Sequence, residues 1–133
     1  MRHTAREKAF QVIYQMDLNE NTLDFALGSV LEEAELGQEA ADFCRSLAAG
    51  TLEKRSEIDE MIQAHTENWK IERMPSVDRN ILRLAVYELL YCPEVPDNVA
   101  IDEAIELAKL YSDDKAPLII NSVLDKILKA KQA

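Results

Sequence analysis

The stretch Asp78–Lys109, DRNILRLAVYELLYCPEVPDNVAIDEAIELAK, decides the fold. Ile81, Leu84, Ala85 and Leu89 recur at helical spacing until Pro93, so the first half predicts an amphipathic helix that starts at a Ser76 cap and ends before that proline. The VPDN turn at Val95 to Asn98 then introduces a second helix from about Val99 to Leu110. Arg79, Arg83 and Glu88 fall among the apolar positions of the first helix. A purely structural hairpin does not need charges there, so they predict a polar surface and a candidate docking face.

Working outward, the same 3.6-residue rhythm holds on both sides. Thr4 followed by Glu7 is a capping-box pattern ahead of Ala5, Ala9, Val12, Ile13 and Met16, which predicts a helix from Thr4 to Leu18. Thr22 opens a second helix that buries Leu23, Ala26, Leu27, Val30 and Leu31 and stops at Gly37, read as a C-cap. A long third helix runs from Gln38 to about Asn68 through Phe43, Leu47, Thr51, Ile58, Ile62 and His65. Gly50 inside it costs up to about 1 kcal/mol relative to Ala, which calls for another helix packed closely against it. After the Ser112, Asp113 and Asp114 break, Pro117 fits the first turn of a last helix carrying Leu118, Ile119, Val123, Leu124, Ile127 and Leu128. With three glycines, four prolines and no run of period two, the expectation is an all-α single domain. Two small helical subdomains sharing the third helix are its natural packing.

A length of 133 residues and 47% apolar content suit one compact core. No run approaches the roughly 18 apolar residues of a membrane span, and the charged N-terminus is unlike a signal peptide, so the expectation is a cytoplasmic protein with no membrane partner. Cys44 and Cys92 share no metal or redox spacing and read as buried reduced thiols. The net charge of −10 argues against broad, non-specific nucleic-acid binding. Its distribution says more. Arg2, Arg6 and Lys8, with His3, make the first 16 residues basic, and Lys115, Lys126, Lys129 and Lys131 do the same for the last 19. If the fold brings these ends together, one positive patch sits on an acidic body, suited to a short nucleic-acid segment on one side and a basic protein on the other.

Converging reactive groups are missing from the pattern. His3 and His65 lack metal-ligand company, and His65 lies on an apolar stripe and reads as a packed residue. Glu103 and Glu106 share a face that reads as solvated acid. No glycine-rich loop cradles phosphate. The expectation is therefore a binding protein, with no catalysis, cofactor or metal. Single-stranded RNA is held by cations together with planar or amide groups. Arg2, His3 and Arg6 on the first helix fit that need, as do Tyr111, Lys115 and Asn121 around the last loop. Tyr14, at helical spacing, reads as packing.

These residues also carry a resemblance. The acidic Asp78, then I-L-R-L-A, Y-E-L, a proline loop and V-A-I-D-E-A-I-E-L-A-K resemble the transcription antitermination factor NusB family, as does A-R-E-K-A-F-Q-V-I-Y-Q at Ala5 to Gln15. Ile58, Asp59, Ile62, Trp69, Asn121, Val123, Leu124 and Asp125 fit as well, so the likeness spans nearly the whole chain. It implies a NusB-like fold of two three-helix bundles that binds the boxA element of ribosomal RNA leader transcripts. The implied partner is the small-subunit ribosomal protein NusE, acting on the RNA polymerase elongation complex. On this resemblance the RNA surface falls on Arg2, Arg6, Tyr111, the loop around Lys115 and the start of the last helix. The partner surface falls on Glu72, Asp78, Arg79, Arg83 and the helix face through Glu88. An aliphatic Ile119 stands where the family commonly has an aromatic, Ser122 replaces a glycine, and the basic N-terminus is thin. The expectation is weak RNA binding without the partner. Two other readings are a helical adaptor that binds no RNA, and the NusB-like domain of a ribosomal RNA cytosine methyltransferase. The latter requires the chain to be a fragment, since it ends at Ala133 with no catalytic extension.

Overall fold

A computed structural model describes residues 2–133. Its seven α-helices are α1 (Arg2–Leu18), α2 (Leu23–Ala34), α3 (Gln38–Glu53), α4 (Arg55–Ala64), α5 (Ser76–Tyr91), α6 (Asp97–Tyr111) and α7 (Ala116–Gln132), with a 3-10 turn at Ile71–Arg73. Helices α1, α2 and α3 pack as one group and α5, α6 and α7 as another, while α4 lies against α5 and α7.

The element shared by the two groups is α5, not the third helix. It packs on α1, α3, α4, α6 and α7. Its buried set runs from Asn80 through Val86 and on to Glu88 and Leu89, which covers every face. A helix buried all round belongs at the centre of a bundle. The expected long third helix is also two helices. Lys54 interrupts it at φ −97° and ψ 12°, yet its N–H still donates to the Gly50 carbonyl and its own carbonyl accepts from Ile58. This makes a bend, not a loop. Within the preceding turn the buried Thr51 hydroxyl donates back to the Leu47 carbonyl at 2.7 Å, a contact that bends helices. The bend carries α4 away from α1 and onto α5. Helix α4 then stops at Ala64, and the Gln63 side chain organises the chain between Trp69 and Ile71 by donating to the Trp69 carbonyl and accepting from the Ile71 N–H.

Gly50 has the close neighbour its cost called for: the Tyr87 ring of α5 occupies the space a side chain would fill. Helix α2 begins where expected, with Thr22 as its cap accepting from Phe25 N–H at 3.1 Å. The stop of that helix differs, because Glu35 adopts the left-handed conformation at φ 52° and Gly37 instead precedes α3. Thr4 lies inside α1, whose first turn is anchored by tertiary contacts in place of a capping box. Arg2 sits 4.2 Å over the Phe43 ring, and His3 meets Glu103 at 2.5 Å. Ser76 opens α5 from inside the helix and spends its hydroxyl on Asp17. Cys44 and Cys92 are buried free thiols, both pushed up to about 11 by burial. His65 is half-buried with Nδ1 at 2.9 Å from the Met61 carbonyl, and Tyr14 packs on the core beside Phe10.

Candidate nucleic-acid interface

The charges on α5 do not form an exposed face. Arg83 is 5% exposed and Glu88 2%, and Arg6 of α1 is 4% exposed. Arg6 Nε donates to Glu88 Oε1 at 2.8 Å, so a residue expected on the RNA surface and one expected on the partner surface meet in the interior. Burial pushes the Glu88 carboxyl above its ordinary range, while the Arg6 charge and hydrogen bond pull it back. Arg83 reaches Asp59 with two hydrogen bonds, 2.8 and 3.0 Å, and also approaches Asp17. Buried ionic groups persist only when paired, so Arg6, Arg83 and Glu88 are interior ties between helices and leave the candidate surfaces.

Asp17 is the hub of a second set. It accepts from Arg79 Nε at 2.7 Å, Asn80 Nδ2 at 2.8 Å and Ser76 Oγ at 3.0 Å, joining the end of α1 to the start of α5. Burial raises the carboxyl, but the bonds from Arg79, Asn80 and Ser76 and the charge of Arg83 outweigh it and hold the pKa at about 2. Half-buried Arg79 is thus committed to Asp17, with a further bond to the Glu72 carbonyl.

Helix α6 lies between α1 and α7 and packs on both. The two basic ends therefore flank α6 instead of merging, and its carboxylates engage both: Glu103 hydrogen-bonds His3, and Asp97 pairs with Lys131 at 2.8 Å. Glu103, expected as solvated acid, also faces Arg6 at 3.6 Å. What the fold does converge is the segment between α6 and α7. The Tyr111 hydroxyl donates to Glu7 at 2.8 Å and accepts from Gln11 at 2.9 Å, and its ring lies 5.1 Å from Phe10 with 38% of the residue exposed. Burial raises the phenol, with Gln11 acting against it and Glu7 with it. Next, Ser112 Oγ donates to Asp78 Oδ1 at 2.5 Å. Asp113 then accepts from the N–H groups of Lys115 and Ala116, capping α7 in the absence of a side-chain cap at Lys115 itself.

A groove of about 590 Å³ opens beside this segment. Asp78, Lys115 and Ile119 line it together with Trp69, Met74 and Leu82. Asp78 from the expected partner surface and Lys115 and Ile119 from the expected RNA surface thus share one groove. Arg2, His3, Asn121 and Glu72 are exposed but lie outside its lining. Trp69, 45% exposed, was missed as a site residue. A lone Trp flanked by Asn68 and Lys70, off any apolar stripe, was its signal. Among the described residues no group of three or more His, Cys, Asp or Glu side chains is placed to hold a metal. No helix among the described residues is long and apolar enough to cross a membrane.

A family model described as the NusB family matches residues 3–129. The chain belongs to the NusB family. It is 47% identical over 127 residues to the transcription antitermination protein NusB of Bacillus subtilis, covering 95% of this chain and 93% of that protein. One solved relative is a chain in the crystal structure of the antitermination factors NusB and NusE in complex with dsRNA. It superposes with a TM-score of 0.91 at 32% identity, over 97% of this chain and 96% of that one. A NusB of T. maritima superposes with the same score at 36% identity, over 97% and 91% of the two chains. In this chain the groove lies between the connector from α4 to α5, the first half of α5 and the start of α7.

Proposed function

We propose that this chain is an RNA-binding transcription antitermination factor that holds boxA RNA together with NusE and acts on the RNA polymerase elongation complex in the cytoplasm. The observation that carries the reading is the shared groove: a carboxylate suited to a basic protein, Asp78, and a cation suited to phosphate, Lys115, face the same space. A chain of net charge −10 repels RNA at long range, and a cationic partner seated at Asp78 offsets that repulsion and extends the positive surface. Glu72 and Asp78 are the partner contacts on this reading. Arg2, His3, Tyr111, Lys115, Ile119 and Asn121 serve the RNA. The role is recognition, not catalysis.

Titration of fluorescent boxA RNA into the chain, with and without saturating NusE, tests this. NusE is expected to tighten RNA binding by roughly 5- to 150-fold, the usual range of coupling between two sites, and RNA to tighten NusE binding by the same factor. If NusE binds but RNA does not, the protein is an adaptor. If neither binds, the family's function does not extend to this chain.

A further inference from the structure

The α6–α7 segment is held from three sides, and one of the ties reaches the partner-facing carboxylate. Tyr111 is fixed to α1 by Glu7 and Gln11, and Asp113 is fixed to the start of α7. Between them, Ser112 donates from its hydroxyl to Asp78 Oδ1 across 34 residues of sequence. Ser112 also ends α6, its N–H bonded to the Ala108 carbonyl, so the hydroxyl is aimed by backbone that is itself fixed. Asp78 Oδ2 takes no hydrogen bond from any described residue, and Asp78 is one of the residues that border the groove.

We propose that Ser112 is a positioning residue that couples the two ligands: it ties the RNA-facing Tyr111–Lys115 segment to the carboxylate on which the basic partner docks. This rests on the proposed function and adds its linkage. A partner cation that pairs with Oδ2 fixes the orientation of the whole carboxylate, and Oδ1 then holds Ser112 in one place. The segment reaches RNA already ordered, and the ordering cost that RNA otherwise bears is reduced. Removal of the hydroxyl leaves the charge for the partner but cuts the tie to the segment.

The test is the ratio of boxA RNA affinity with NusE to that without it, measured for wild type, Ser112→Ala and Ser112→Thr. Ser112→Ala is expected to shrink that ratio by roughly 3- to 10-fold, as for one hydrogen bond, and Ser112→Thr to restore it. Amide hydrogen exchange over residues 111 to 116 in the NusE-bound protein should be faster in Ser112→Ala than in wild type. A role confined to stability would lower the melting temperature and leave the ratio alone. An unchanged ratio in Ser112→Ala, with coupling present in wild type, overturns the positioning role and leaves the proposed function standing. Absence of coupling in wild type overturns both.

Discussion

Arg2 and Arg6 lie one turn apart on α1 and meet opposite environments. Arg6 enters the interior and pairs with Glu88, while Arg2 stays exposed over the Phe43 ring. The same contrast separates the two ends of α5. In its middle and last turn, Arg83 and Glu88 are buried ties between helices; at its first turn, Asp78 borders an open groove. Charge alone does not mark a binding surface in this fold. Position on the helix, and whether the partner is inside the chain, decides whether a charged group holds the bundle or meets a ligand.

The largest expected effect comes from breaking the interior set. Glu88→Ala leaves the Arg6 guanidinium buried with only Glu103 nearby, at 3.6 Å, and should cost about 3 to 5 kcal/mol of unfolding free energy. Adding Arg6→Met removes the stranded charge and should recover a large part of that loss. Urea unfolding of both variants measures it. A loss below about 1 kcal/mol for Glu88→Ala would erase the distinction between the two ends of α5.

At the exposed end of α6, outside the groove lining, the effect should appear in binding. Tyr111→Ala is expected to lower boxA RNA affinity by roughly 1 to 3 kcal/mol, the range for a base stacked on an aromatic ring. Because the ring also lies against Phe10, some loss of melting temperature accompanies it. Tyr111→Phe keeps the ring and separates the two contributions. If RNA affinity is unchanged in folded Tyr111→Ala, the residue belongs with the interior set.

Helix identities were legible in the sequence because each apolar stripe is local, and Asp78–Lys109 alone shows two helices and their proline loop. The bend at Lys54 was not, since Thr51, Ile58 and Ile62 keep one rhythm through it, and periodicity does not show a hydroxyl such as that of Thr51 turned back on its own helix. The interior charges were illegible for a different reason. Arg6 finds Glu88 at a separation of 82 residues, and Asn80 finds Asp17 at 63, so no local pattern distinguishes them from solvated groups. Of the candidate site, Asp78, Lys115 and Ile119 were named from sequence, but the groove that unites them needs α5 and α7 side by side.

Asp17 offers a pH test of the interior side. Its carboxyl lies at about 2 against an ordinary 3.8. A depressed carboxyl contributes stability that is present above the unfolded value and lost as pH falls through the folded one. Between pH 4 and pH 2 the chain should therefore lose roughly 2 kcal/mol through this group. Asp17→Asn cannot titrate, so its stability gap to wild type should narrow by that amount over the same window. A gap that stays constant in pH-stepped urea unfolding would remove Asp17 from the hub between α1 and α5.

The smallest expected effect is the sharpest probe of the contrast between the two arginines. Arg2 is exposed, and its contact with Phe43 is worth about 0.5 to 1 kcal/mol at such a site, so Arg2→Ala should leave the melting temperature nearly unmoved. If Arg2 meets one phosphate, the same substitution should flatten the log-log dependence of RNA affinity on salt by about 0.7, the value for a single-strand contact. Arg6→Ala should do the reverse, lowering stability strongly because Glu88 loses its charge partner in the interior. At temperatures where the variant remains folded, its salt slope should match wild type. RNA titrations at several salt concentrations on the two single variants read both quantities. A slope that changes for Arg6 and not for Arg2 would mean that the interior pair opens when RNA binds, and the boundary between holding and binding groups would have to be redrawn through α1.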